Sequence, residues 1–275
     1  MDRIENIDFC IRYLLEQNHM HADIPATLPE RQRLLRALMN VTEVESIANS
    51  FTMPRCSNVT EGNVWEPQPL SEAFLLAQDA ELQAQLQDKG IIDCDKAPML
   101  ECESGLSLWQ GDITRLKVDA IVNAANSQGL GCWHPLHACI DNAIHSATGL
   151  QLRQACNNIL RGGEIDTGDA IITPGYNLPS KYVIHTVGPI IATGNPTPEQ
   201  ERQLAACYRK CLELAETNGC RSIAFCCIST GEFRFPNHRA AEIAVEACRG
   251  AKTKVIFNVF KDIDYAIYRQ LLGKD

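Results

Sequence analysis

Val118-Asp119-Ala120-Ile121-Val122-Asn123-Ala124-Ala125-Asn126-Ser127 sets a short apolar run against a polar exit. A run of this length, bounded by polar residues, reads as a strand buried on both faces. The pattern recurs from about Leu106, at 106–109, 118–124, 169–173, 181–187, 222–228 and 253–260. Helical stretches lie between these runs at about 140–160, 199–217, 237–249 and 262–272. In the second of them Leu204, Cys207, Tyr208, Cys211 and Ala215 form one apolar stripe. Strands alternating with helices predict an α/β fold whose mixed or mostly parallel sheet is covered on both faces. Ligands of such a sheet bind in loops beyond the carboxyl ends of the strands. Three loops follow strands in this way: 124–139, 229–236 and the chain after Phe260.

The first hundred residues read differently. Ile4, Ile7, Cys10, Ile11 and Leu14 recur at helical spacing and predict a helix over about 2–17. A second helix starts near Pro29, with Leu34, Leu35, Leu38 and Met39 on its apolar side. Residues 41–68 are rich in Asn, Ser, Thr and Pro and read as a long polar insert. Ser71 opens a third helix that reaches about Gln87, before Gly90. The chain therefore divides into a helical extension, 1–95, and an α/β domain, 96–275.

Composition narrows the function. The 275 residues are 45% hydrophobic and 21% charged, with a formal net charge of -9. That balance argues against a nucleic-acid binder that depends on a basic surface. An anionic small ligand stays compatible, because backbone N–H groups bind phosphates without basic side chains. Thirteen cysteines without framework spacing suit a reducing, cytoplasmic setting with free thiols. Met1-Asp2-Arg3-Ile4-Glu5 is charged and lacks a following apolar stretch, so no secretory signal is expected. No uncharged apolar run has the length of a membrane span. The sequons at Asn40 and Asn58 are then chance matches.

The exit of the 118–124 strand leads to Gly131-Cys132-Trp133-His134-Pro135-Leu136-His137-Ala138-Cys139-Ile140-Asp141. Cysteine and neutral histidine are the ligands zinc prefers, and Cys132, His137 and Cys139 supply three of them. Structural sites usually close with four ligands, whereas catalytic sites often keep three and an open position. Residues i and i+2 point apart on a helix, so the ligand stretch must be irregular, with a helix beginning near Cys139 or Ile140. His134 is a spare and, as a fourth ligand, closes the shell. A chance cluster in a cysteine-rich chain is the plain alternative.

Other residues carry chemistry of their own. Asp112 suits a hydrogen bond from an exocyclic amine, or equally a helix cap. Asn123 and Asn126 suit ribose hydroxyls; Asn123 suits almost as well a buried brace for the loop backbone, and Asn126 is the stronger substrate candidate. Gly231, in Ser229-Thr230-Gly231-Glu232-Phe233, lets backbone approach a diphosphate. Phe233 and Phe260 offer faces to a ligand or anchors to the core. His145 and His185, inside a helix and a strand, read as structural.

Taken in order, Gly111-Asp112-Ile113-Thr114, the 118–126 strand, Ile140-Asp141-Asn142-Ala143-Ile144-His145, Tyr182-Val183-Ile184-His185-Thr186-Val187-Gly188-Pro189 and Ser229–Phe233 resemble the macrodomain family. That family binds ADP-ribose, and the resemblance spans about 106–272. The Cys132–Cys139 loop, Tyr176-Asn177-Leu178-Pro179-Ser180-Lys181-Tyr182 and Leu35-Arg36-Ala37-Leu38-Met39-Asn40 are closer to its zinc-dependent branch, microbial hydrolases that remove ADP-ribose from proteins. The polar segment 41–68 is longer than the connection expected there.

This resemblance implies a three-layer α/β/α macrodomain with a mixed central sheet and a helical N-terminal extension. It implies Zn2+ on Cys132, His137 and Cys139, with Asp141 activating water or a ribose hydroxyl. Asp112 and Ile113 would meet adenine, Asn123 and Asn126 ribose, Ser229, Thr230, Gly231, Glu232 and Phe233 the diphosphate and ribose, and Phe260 adenine. The implied partners are ADP-ribose and mono-ADP-ribosylated protein, linked through aspartate or glutamate esters, with no nucleic acid and no membrane. A non-catalytic ADP-ribose reader and a hydrolase of free ADP-ribose derivatives are the competing functions.

Overall fold

The computed structural model describes residues 2–44, 69–97, 99–101 and 105–273. The polar insert expected at 41–68 lies, from residue 45 onward, outside the described residues. Strands β1 (Ile92–Asp93) and β4 (Leu116–Lys117) pair in parallel as a small two-stranded sheet. The main sheet has seven strands in the order β2-β3-β9-β8-β5-β7-β6. These are β2 (Leu100–Glu101), β3 (Leu106–Gln110), β5 (Ala120–Ala124), β6 (Ala170–Pro174), β7 (Tyr182–Thr186), β8 (Ser222–Phe225) and β9 (Lys254–Val259). The inner pairings are parallel, and the two edge strands β2 and β6 run antiparallel to their neighbours. Central strands such as β5 and β8 are apolar and buried along nearly their whole length, as a sheet covered on both faces requires.

Connectivity places the helices. From β5 the chain passes through α4 (Ile140–Thr148) and α5 (Leu150–Leu160) towards β6 and β7, on one side of β5. From β7 it returns through α6 (Pro198–Thr217) to β8, then through α7 (Asn237–Cys248) to β9, travelling the other way. Right-handed crossovers in opposite directions put α4 and α5 on one face and α6 and α7 on the other. Helix α8 (Asp262–Leu271) packs beside α7, which completes a three-layer α/β/α sandwich. Strand order reverses between the neighbours β5 and β8, so the loops leaving their carboxyl ends flank a crevice.

Residues 140–160, expected as one helix, form two. Gly149 takes φ +101°, and a Cβ there would lie 2.5 Å from Gln151 Oε1 and 2.6 Å from Gln78 Nε2. The left-handed turn and the close approach of Gln78 end α4 and start α5.

The extension comprises α1 (Arg3–Gln17), α2 (Leu28–Val41) and α3 (Glu72–Lys89). The three share a core of their own around Ile7, Leu14, Leu35, Leu38 and Phe74, which reaches Leu150 of α5. Their connection to the sandwich is polar as well. The buried Arg153 of α5 donates from Nη1 to Met39 O at 3.0 Å and to Thr42 O, and from Nη2 to Asn40 O at 3.3 Å. Its Nε donates to Leu130 O at 2.7 Å, and its guanidinium lies 4.2 Å from the Trp133 ring centre. Met39, Asn40 and Thr42 end α2, where carbonyls lack helical partners and the helix dipole is negative. Burial pulls the Arg153 pKa down to about 10, so it stays charged at neutral pH.

Among the described residues, no helix is long and apolar enough to cross a membrane. Arg153→Met should leave several buried carbonyls without a donor, and we expect a loss of about 3 kcal/mol or more, since hydrogen bonds to charged groups contribute roughly 1.5–3 kcal/mol each. Urea unfolding of the two proteins measures the difference, and a change below about 0.5 kcal/mol, typical of a surface site, would refute the role.

Candidate active site

A cavity of about 1190 Å³ occupies the crevice between the β5 and β8 loops. Helices α2 and α3 form a further wall, contributing Arg33, Arg36 and Lys89. The extension is therefore part of the site's boundary.

The chain leaving β5 is irregular from Asn126 to Cys139, and α4 begins at Ile140 with Cys139 as its N-cap. Cys132 Sγ, His137 and Cys139 Sγ bring their ligand atoms within 4.8 Å of one another. Cys132 Sγ and His137 Nδ1 are 3.5 Å apart. Zinc bonds of about 2.3 Å to sulfur and 2.0–2.1 Å to nitrogen, held at a tetrahedral angle, separate such ligands by roughly 3.6 Å. The donor set thus fits a zinc ion in both chemistry and spacing. His134 is exposed and outside the cluster, with its ring centre 6.0 Å from that of His137. His134 therefore stands apart from the three candidate ligands. Burial pushes the Cys139 thiol up to about 12, while the Asn142 N–H, 3.4 Å from Sγ, opposes that rise.

Asn142 organises this loop. Its Nδ2 donates to His134 O at 3.0 Å, and its Oδ1 accepts from Arg36 Nη2 at 2.7 Å and Nε at 3.2 Å. Arg36 Nη2 also donates to His137 O at 3.4 Å, and Leu136 N donates to Asn40 Oδ1 at 3.0 Å. Arg36, Asn40, Asn142 and Arg153 were not among the residues read from sequence as functional. Arg36 and Asn40 lay in the Leu35–Asn40 motif and Asn142 in the Ile140–His145 motif, which mark kinship but not which element each residue touches, and Arg153 carried no signal.

Asp141 is buried yet lines the same cavity. Its Oδ1 accepts from Asn123 Nδ2 at 2.7 Å, and His145 Nε2 is 3.6 Å away. Asn123 is fully buried and absent from the cavity wall; its Nδ2 also meets His185 Nδ1 at 3.1 Å. With the amide donating, His185 Nδ1 is the acceptor, and Nε2–H points to Thr173 Oγ1 at 3.0 Å. Asn123 therefore braces a carboxylate from within the core instead of facing ribose. Asn126 lines the cavity while tying its own loop, donating to Gly131 O at 3.1 Å and accepting from Gly129 N at 3.1 Å.

Burial raises the Asp141 carboxyl to about 6, against the opposing pull of Asn123 and the more distant Arg153 charge. Burial also lowers His185 to about 3 and His145 well below its usual value, so both are neutral. Neither His145 nitrogen has a hydrogen-bond partner among the described residues. The expected hydrogen-bonded structural histidine is found at His185, whereas His145 is buried without a hydrogen bond among the described residues.

On the opposite wall, Gly231, Glu232 and Phe233 present consecutive N–H groups that donate to no acceptor among the described residues. Arg234 N donates to Gly231 O and Phe235 N to Ser229 O, which holds the turn open towards the cavity. The left-handed residues of this loop are Ser229, at φ +64°, and Arg234, at φ +57°, not Gly231. A Cβ at Gly231 would meet no protein atom within 4 Å. Thr230 Oγ1 donates back to Cys227 O at 3.1 Å, and the buried Ser229 Oγ has no partner among the described residues. Glu232 turns to the Cys132–Cys139 loop, with Oε1 3.6 Å from His137 Nε2.

At the far end, Asp112 caps a short 3-10 turn, Ile113–Arg115, accepting from Thr114 N at 3.0 Å and Thr114 Oγ1 at 2.6 Å. Its other oxygen is 3.5 Å from Lys89 Nζ. Ile113 is buried and borders the cavity, whereas Phe260 stands 76% exposed on its rim, outside the core. The cap role of Asp112 is realised, and a ligand would meet the Lys89 side of its carboxylate.

The macro domain family matches residues 122–244. A protein-ADP-ribose hydrolase of Treponema medium is 45% identical over 99% of this chain and 100% of its own length. A protein of the same description from Staphylococcus aureus is 44% identical over 78% of this chain and 82% of its own. A Trypanosoma brucei macrodomain solved in complex with ADP-ribose superposes with a TM-score of 0.60 at 30% identity, covering 75% of this chain and 92% of that one.

The raised Asp141 pKa has a thermodynamic consequence. The folded chain holds this proton up to about pH 6, against an ordinary value of 3.8. Its stabilising contribution is complete below about pH 4 and is lost as pH rises through 6. In metal-free protein, Asp141→Asn is expected to match wild type near pH 4 and to exceed it at pH 7 by roughly 1–3 kcal/mol. Equal urea midpoints at both pH values would show that the carboxylate is not desolvated.

Proposed function

The chain belongs to the macro domain family and is a hydrolase, and from that premise we propose that it releases mono-ADP-ribose from protein side chains with the help of zinc. The zinc ligands are Cys132, His137 and Cys139, and the bond broken joins the distal ribose C1″ to an aspartate or glutamate. The observation that carries this reading is the convergence of the three ligand atoms, the Asp141 carboxylate and the Gly231–Phe233 N–H groups on one cavity.

The free N–H groups of the β8 loop bind the diphosphate, whose negative charge needs no basic side chain there. Phe260 stands where an adenine ring can lie along the rim, with Asp112 and Lys89 at the same end. The β5 loop then receives the distal ribose. When bound, zinc polarises a ribose hydroxyl or water and fixes its position. Asp141 orients the attacking water and accepts its proton, and a pKa near 6 suits a general base at neutral pH. Asn123 keeps Oδ1 engaged from the core side, which leaves the other oxygen for the reacting groups. Neutral His145 and His185 add no positive charge that would hold Asp141 as a permanent ion-pair partner. Every described cysteine is free, in keeping with a cytoplasmic setting.

Elemental analysis should find about one zinc per chain, and Cys139→Ala should lose it together with activity. Asp141→Ala should keep zinc while single-turnover release of ADP-ribose from a modified protein slows by about a hundredfold or more. Unaltered turnover removes Asp141 from the chemistry. Tight ADP-ribose binding by the zinc-loaded wild type with no release from modified protein would identify a reader instead.

A further inference from the structure

We propose that Glu232 is a positioning residue for the metal site, orienting His137 through its outer nitrogen and linking the diphosphate loop to the metal loop. The inference rests on the zinc reading above and concerns a contact between two segments far apart in sequence. His137 Nδ1 faces Cys132 Sγ at 3.5 Å, so the ring turns that nitrogen to the ligand cluster. Its other nitrogen, Nε2, lies 3.6 Å from Glu232 Oε1. A histidine that gives one nitrogen to a metal carries its proton on the other, and a carboxylate acceptor there fixes tautomer and ring orientation.

Electrostatics favours the same assignment. Glu232 sits among the free N–H groups proposed to hold a diphosphate, where a carboxylate aimed at the ligand would be repelled. Turned towards His137, it meets an N–H donor and leaves the backbone groups to the ligand. Its place is set by the backbone around it: Ile191 N donates to Phe233 O at 2.8 Å, and Phe235 N to Ser229 O at 2.9 Å. The Glu232 side chain is 73% exposed, so its removal leaves fold stability largely untouched. Because one residue touches both loops, ADP-ribose and zinc influence each other's affinity reciprocally.

The experiment is a zinc titration against a chromophoric chelator for wild type, Glu232→Gln and Glu232→Ala, with and without ADP-ribose. Glu232→Ala should bind zinc roughly 10–100-fold more weakly, the usual cost of removing such a partner. Glu232→Gln, which keeps a carbonyl acceptor, should fall between the two. The effect of ADP-ribose on zinc affinity should shrink in Glu232→Ala, while its urea midpoint stays at the wild-type value. Zinc affinity equal to wild type in Glu232→Ala overturns the proposal, whether or not ADP-ribose affinity changes. Wild type that takes up no zinc overturns the metal reading itself, and the first titration tells that failure apart.

Discussion

The buried guanidinium of Arg153 is the constraint on which the site depends. It gathers carbonyls from the end of α2 and from Leu130 just ahead of the ligand loop, and it stacks against Trp133 within that loop. A buried charge of this kind is tolerable only where carbonyl dipoles surround it. Here the dipoles come from two parts of the chain that are far apart in sequence. The extension is thereby fixed to the ligand loop, and Arg36 and Asn40 of α2 can reach His137 O, Asn142 and Leu136 N. An irregular loop of this length needs such external partners, because its own backbone makes few regular hydrogen bonds. The ordered Cys132–Cys139 loop and the docked extension are two views of one hydrogen-bond network.

Asp141 sits in the opposite electrostatic situation. It is desolvated with a single strong donor, Asn123, and Arg153 reaches it only through the longer-range field. A close ion pair would hold the carboxylate well below the usual range and make it a poor proton acceptor. Burial without a close cation does the reverse. The amide of Asn123 is oriented by neutral His185, which is held in turn by Thr173, so the carboxylate is positioned by a chain of uncharged groups. The fold gives up stability at neutral pH to hold this carboxyl near pH 6.

Much of this could be read from the residues because the relevant signals are local. The buried strands have short apolar runs, the ligand loop has its donors within eight residues, and the irregularity of that loop follows from the i, i+2 geometry of His137 and Cys139. Contacts between distant segments were not legible in the same way. Asn123 and Asn126 are equivalent by type and lie on the same exit. Only the pleat and the burial of β5 decide that Asn123 enters the core beside His185 while Asn126 reaches the cavity and ties its own loop. The break at Gly149 depends on Gln78 arriving from α3, and the tilt of Glu232 depends on His137, neither of which is implied by its own neighbours.

The reversal of strand order at β5 and β8 sets two loops of different character on the two sides of the crevice. One exit loop is long and rich in side-chain ligands; the other is a tight turn that offers backbone N–H groups. Side-chain ligands can be exchanged without altering the sheet, because they lie beyond its last hydrogen-bonded pair. The N–H groups of the second loop belong to the backbone and do not depend on the side chains of the first. A cavity of about 1190 Å³ exceeds the roughly 300–1,000 Å³ usual for small-ligand pockets, and α2 and α3 supply its extra wall. Arg33 and the rim residue Phe260 line that larger cavity.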